Sequence, residues 1–157
     1  MTKNVQVIKL DKLGCLNTPI WDLINCYAAR IIMRQQYHFR SSDEGLLSWD
    51  IFRLIELAKD LPVIEISLAD ISELDEEFWF ELGGAKPTCR NIIEHTELIQ
   101  KADLSYPIIL CHKGRVMDGM HRVCKAVLLG HDTIRAVRFP QYLAPDHVGI
   151  EADELPY

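Results

Sequence analysis

After Thr18-Pro19, apolar residues return at intervals of three and four: Ile20, Leu23, Ile24, Tyr27, Ala28 and Ile31. That spacing predicts a helix of about five turns, with Thr as its cap and Pro at its first position. Residues 37–45 have no period and read as a loop. Ser48 then caps a second helix through Trp49, Phe52, Ile55 and Ala58, which Pro62 closes. Val63-Ile64-Glu65-Ile66 is a short strand candidate. Residues 68–81 hold Asp70, Glu73, Asp75, Glu76, Glu77 and Glu81 without a base, and their Phe78, Trp79 and Phe80 read as core or lid anchors. Gly83-Gly84 is a break. Residues 88–101 form a third helix with Ile92, Ile93, Thr96 and Ile99 on its apolar side.

The pattern is most legible from Pro107 onward. Pro107-Ile108-Ile109-Leu110-Cys111-His112 is a buried-strand run, Lys113-Gly114 a turn, and Arg115-Val116-Met117 the returning strand. Asp118-Gly119 leads into a helix that Gly130 ends. Met120, Val123, Cys124, Val127 and Leu128 lie at the spacing of a buried stripe on that helix. Residues 133–139 alternate as a last strand. The tail after Pro140 is expected to wrap the surface without regular structure.

These elements predict an α/β (α+β) domain. A small mixed sheet spans residues 63–139, helices pack on it, residues 1–62 add an N-terminal helical extension, and residues 140–157 form a tail. A chain of 157 residues suits one domain of this kind. Its 48% hydrophobic and 25% charged residues are those of a globular protein rather than a disordered one. The 17 Lys and Arg against 23 Asp and Glu, a formal charge of −6, disfavour DNA as a partner. Cys15, Cys26, Cys89, Cys111 and Cys124 are odd in number and contain no CxxC pair, which points to a reducing cytoplasm. Residues 1–16 lack the apolar core of a signal peptide, and no apolar run approaches the ~20 residues that span a bilayer. The expectation is a cytoplasmic protein without a membrane partner, with homodimerisation left open.

Candidate chemistry collects at the start of the helix after Gly119. His121, Arg122 and Lys125 lie off its apolar stripe, in its first two turns. The N-terminus of a helix carries about half a positive charge, so each base there costs roughly 0.3–1 kcal/mol. A docked anion would relieve the conflict. Free N–H groups, a Gly that admits close approach and two basic side chains together make a phosphate cradle. Charge distribution agrees: Lys113, Arg115, Arg122, Lys125, Arg135 and Arg138 face only Asp118 and Asp132 within residues 111–138. The competing reading is that Asp118 merely caps the helix and the bases are solvated.

The run from Pro107 through Asp118-Gly119-Met120-His121-Arg122 to Ala126 resembles the ParB/sulfiredoxin superfamily signature, in which strand, turn and strand lead into a Gly-x-His-Arg helix start. The resemblance covers residues 63–139, about half the chain. It implies that Gly119, Met120, His121 and Arg122 contact the phosphates of ATP or another nucleotide, with or without Mg2+. It further implies that Thr88, Asn91 and His95 on the preceding helix reach the same ligand; the charge pattern at the helix start adds Lys125 to the phosphate-binding set. If turnover occurs, phosphotransfer or nucleotide hydrolysis is the reaction such a phosphate site serves, with Asp118 and His121 as its catalytic residues. Two departures narrow the analogy. Met120 stands where sulfiredoxins place their nucleophilic Cys, and a thioether forms no thiolate. Only 18 residues follow Phe139, too few for the DNA-binding and dimer domains of partition proteins.

Other readings are weaker. Cys111 and His112 are sequence neighbours on a strand and point to opposite faces, which argues against one shared zinc ion, and no metal ligands are assigned. The acids of residues 70–81 read first as a solvated face. A non-catalytic nucleotide-responsive or partner-binding module, with the aromatic N-terminal helices as its interface, is the main alternative. A metal-dependent nuclease would rest on a family label alone.

Overall fold

The computed structural model describes residues 35–80 and 87–157, so the expected helix at residues 18–31 and the Gly83-Gly84 break lie outside the described residues. In chain order the elements are β1 (Tyr37–Ser42), β2 (Gly45–Asp50), α1 (Ile51–Ala58), β3 (Ile64–Ser67), α2 (Cys89–Lys101), β4 (Ile108–Leu110), β5 (Val116–Asp118), α3 (Met120–Leu128), β6 (Thr133–Arg138) and β7 (His147–Val148). Short 3-10 turns occupy Leu68–Asp70, Ser72–Asp75 and Ala152–Glu154. The fold is α+β, as the element pattern predicts.

Two sheets form. The first runs β1-β2-β7 and is antiparallel throughout. The second runs β3-β6-β4-β5; only β4 and β6 are parallel, joined by the crossover through β5 and α3. Both faces of this second sheet are covered. Ile108, Leu110, Ile134 and Ala136 meet Met120, Val123 and Ala126 of α3 on one face. Ile109, Met117 and Val137 meet Trp49 and the α1 residues Ile51, Leu54 and Ala58 on the other. Alternate residues of β4 thus enter different cores, and this is why its sequence reads as an unbroken apolar run.

Several boundaries differ from expectation. Residues 37–45 are not a loop: they form β1 and its tight connection to β2, paired from Tyr37↔Asp50 to Ser42↔Gly45. The pattern concealed this because β1 turns a polar side chain inward, with His38 8% exposed. Ser48 caps no helix; it lies in β2, and Asp50 caps α1 by accepting from Phe52 N–H at 2.8 Å. On α3 the buried stripe is Met120, Val123 and Ala126, while Val127 and Leu128 are exposed and Cys124 is half-buried. Helix α2 follows its expected span but buries no residue, and Ile92 and Ile93 are exposed. The tail is partly ordered. It contributes β7, buries Leu155, and accepts the Trp49 indole N–H at Leu143 O, 3.0 Å away. Among the described residues no helix is long and apolar enough to cross a membrane.

Candidate functional site

Strand β5 ends at Asp118, and a single residue separates it from α3. Gly119 makes that turn with φ +102°, a left-handed conformation open to glycine. Space requires glycine as well. A Cβ there would stand 2.7 Å from Arg122 Nη2 and 2.8 Å from Ile108 Cγ2. Gly119 O accepts from the N–H of Arg122 at 2.8 Å and of Val123 at 3.1 Å, which starts the helix. No side chain caps it. Asp118 therefore does not take the capping role weighed above.

The carboxylate of Asp118 goes instead to Arg122, whose Nη2 donates to Oδ2 at 2.6 Å. Both side chains are mostly covered, at 20% and 25% exposure. Arg122 Nε is shut off from solvent and has no hydrogen-bond partner. An unmade bond to a buried donor costs roughly 1–3 kcal/mol, more for a charged one. One polar atom at the start of α3 is thus left unsatisfied by the described residues.

His121 is paired differently. Its Nε2 lies 2.9 Å from Nδ1 of His95 on α2, so one ring donates and the other accepts. Trp79 covers both rings, with centroids 4.1 Å from His95 and 4.7 Å from His121 at interplanar angles of 19° and 17°. Burial, then the neighbouring His95 and Arg122, push the His121 pKa down to about 4, against an opposing pull from Asp118. Burial also lowers His95, opposed by Glu94. Near neutrality the pair is uncharged.

Lys125 is spent elsewhere. Its Nζ donates to Gln100 O at 2.9 Å and Ala102 O at 2.5 Å, closing the C-terminus of α2. Thr88 and Asn91 engage each other as a reciprocal cap at the opposite end of α2. The Met120 side chain is core, 5% exposed, so only its backbone faces the helix start. The structure therefore gathers Asp118, Gly119, His121, Arg122 and His95, and occupies Thr88, Asn91 and Lys125 with caps. Of the three bases that crowd the helix start in sequence, one is neutral, one is paired with an acid, and one neutralises a neighbouring helix end. The chain itself relieves most of the charge conflict.

Sequence reasoning missed the second role of Trp79 as the plate over the histidines; being 16 residues before His95, it carries no local signal. It also missed Glu73. Rather than a solvated acid, Glu73 is 2% exposed, accepts Val116 N–H at 2.7 Å and pairs with Arg115 Nε at 3.0 Å. Arg115 reaches on to Glu76 with both terminal nitrogens, at 2.6 and 2.5 Å. These acids clamp the 3-10 turn to the β4–β5 hairpin. Above them a cleft of about 220 Å3 opens between His38, Arg40, Phe78, Trp79 and Arg115. Among the described residues no group of three or more His, Cys, Asp or Glu side chains is arranged to hold a metal.

No family model matches the chain, and neither a curated protein nor a solved structure matches it.

Proposed function

We propose that the chain binds a nucleotide or another small phosphate compound at the start of α3. The observation that carries this reading is the buried, unpartnered Nε of Arg122, packed against Gly119 at a helix N-terminus that no side chain caps. A phosphate oxygen meets both needs, since it accepts from a guanidinium and from first-turn N–H groups. The likeness of Asp118-Gly119-Met120-His121-Arg122 to the ParB/sulfiredoxin phosphate turn supports the same ligand. Within this reading Arg122 supplies the charge, and neutral His121 supplies a hydrogen bond whose direction His95 sets. Asp118, beside the phosphates and holding Arg122 through Oδ2, is the carboxylate that would assist a nucleophile or Mg2+ carried in with the nucleotide.

Thermal unfolding with ATP, CTP, ADP and inorganic phosphate, each with and without Mg2+, tests binding. A ligand at 100 times its dissociation constant adds about 2.7 kcal/mol of stability. The wild-type chain should respond to at least one of these and the His121→Ala, Arg122→Ala double variant to none. Incubation with the responding nucleotide over hours then separates an enzyme from a sensor by product release.

A second reading, a partner-binding module, is favoured by one observation. Exposed Ile92, Ile93 and Leu98 on α2 and Val127, Leu128 and Leu129 at the end of α3 leave much apolar surface on two adjoining helices. Absence of any nucleotide response, together with concentration-dependent self-association, would favour it over the first.

A further inference from the structure

A second cleft, of about 240 Å3, lies between the first sheet, the β4–β5 hairpin and the segment after Phe139; none of residues 118–122 lines it. Its walls are largely apolar, formed by Trp49, Met117, Phe139 and Leu143. Into these walls the fold sets polar groups from distant parts of the chain: Arg40, Cys111, His112 and Lys113. An apolar pocket with a few converging polar groups is the usual form of a small-molecule site.

Arg40 is the unusual member. It is half-buried, and no carboxylate among the described residues pairs with it. Its Nε donates to His38 Nε2 at 3.0 Å, Nη1 to Cys111 Sγ at 3.6 Å and Nη2 to Val116 O at 3.4 Å. Every one of these acceptors is neutral while Cys111 keeps its proton. A guanidinium has five N–H groups; three are used here, so two remain. Covered charge without a counter-ion is costly, and the fold carries it beside an open cleft. His112 adds a further unmet group, because its Nδ1 is shut off from solvent without a partner among the described residues. Lys113, exposed on the turn, adds a second cation at the rim.

We propose that this cleft binds a small organic carboxylate, with Arg40 as its anchor, Lys113 at its rim and the apolar walls around its body. Two free N–H groups match the two oxygens of a carboxylate, and the apolar walls select an organic acid over a bare inorganic anion. Cys111 reports on the occupant. Burial alone would raise its thiol pKa, but the Arg40 guanidinium and the N–H groups of Lys113 and Arg115 outweigh burial and hold it below the ordinary range. Thiolate and bound carboxylate therefore compete for one guanidinium. Occupancy suppresses the reactivity of the thiol.

The test is alkylation of Cys111 by uncharged iodoacetamide, located by peptide mass spectrometry, with benzoate, benzamide or inorganic phosphate as competitor. Benzoate should slow alkylation several-fold and saturably, and shift its pH profile upward; benzamide and phosphate should not. In Arg40→Gln the benzoate effect should vanish, and Lys113→Ala should raise the benzoate concentration required. Amide shifts of His112 and Lys113 read the same titration without the thiol. Equal protection by benzoate and benzamide would reduce the site to an apolar hole, and equal protection by phosphate to a plain anion site. Either result, or no response to benzoate, overturns the proposal. Should Arg40→Gln fail to fold, the three-competitor comparison on the wild-type chain decides alone. Nucleotide binding at α3 plays no part in any of these readouts.

Discussion

Arg122 and Arg40 are both half-buried guanidiniums beside a neutral histidine, yet Arg122 has a carboxylate partner and Arg40, which lies 5.8 Å from the Trp49 ring centroid, has none among the described residues. Arg122 takes its acid from four residues earlier on the chain, and its neighbour His121 is stacked under Trp79. Arg40 contacts His38 close in sequence, but its other acceptors are 71 and 76 residues away and carry no formal charge. A helix turn brings an acid to a base by local geometry alone. Where two sheets and a hairpin converge, no such spacing applies, and a cation keeps an unmet need that a ligand can fill.

The sharpest way to break the comparison is at the turn that positions Arg122. Gly119→Ala should destabilise the protein by roughly 2–5 kcal/mol, from left-handed backbone strain together with overpacking against Ile108 and Arg122. Gly114, at the turn beside the Arg40 cleft, also has φ +85°, but the nearest atoms to its Cβ position are 3.8 Å away. Gly114→Ala should therefore cost only the strain, about 1–2 kcal/mol. Urea unfolding of both variants measures the difference, and equal losses would mean that Arg122 is not packed on Gly119 as described.

Acid acts on both regions. Burial, then Arg40 and Arg115, hold the His38 pKa at about 3, and His121 is held at about 4, against an ordinary value of 6.5. A base with a depressed folded pKa takes up protons first in the unfolded chain. Its stabilisation is complete above pH 6.5 and is lost as pH falls toward the folded value. Between pH 7 and pH 4 His38 alone should cost roughly 3 kcal/mol, with a smaller addition from the more exposed His121. Imidazole NMR titrations together with unfolding at stepped pH check this; midpoints near 6.5 for both rings would contradict it.

Smaller effects refine the contrast. Asp118→Ala should cost about 1–2 kcal/mol by leaving Arg122 without its acid, and a double-mutant cycle with Arg122→Ala should recover about 1 kcal/mol of coupling. Lys125→Met should cost about 1 kcal/mol, the worth of two carbonyl contacts at the end of α2, and should leave any nucleotide response unchanged. A lost response would return Lys125 to the phosphate site.

The α3 site was legible because its parts are neighbours in the chain. Asp118, Gly119, His121 and Arg122 span five positions, and the turn residue and helix spacing declare the rest. His95 was reached only through a resemblance, and its contact with His121 crosses 26 residues. Trp79 gave no signal of its stacking, since an aromatic side chain in the core and one over a histidine pair have the same local pattern. The hairpin of β1 and β2 was lost because its inward face carries His38, and a polar residue turned inward inverts the alternation on which strand reading depends.

By itself the sequence determined the periodic elements: α2 and α3, the doubly buried β4, the glycine turn into α3 and the placement of bases at that helix start. These follow from short-range geometry, in which backbone preference and side-chain spacing act within a few residues. Only the tertiary structure decided what those bases meet. It turned α3 so that Ala126 rather than Val127 enters the core, spent Lys125 on the end of α2, kept His121 neutral under Trp79, and set Arg40 beside Cys111 with no acid among the described residues. Whether a charge is free, paired or unmet depends on groups far along the chain that packing brings within a few ångströms, and no local pattern encodes that distance.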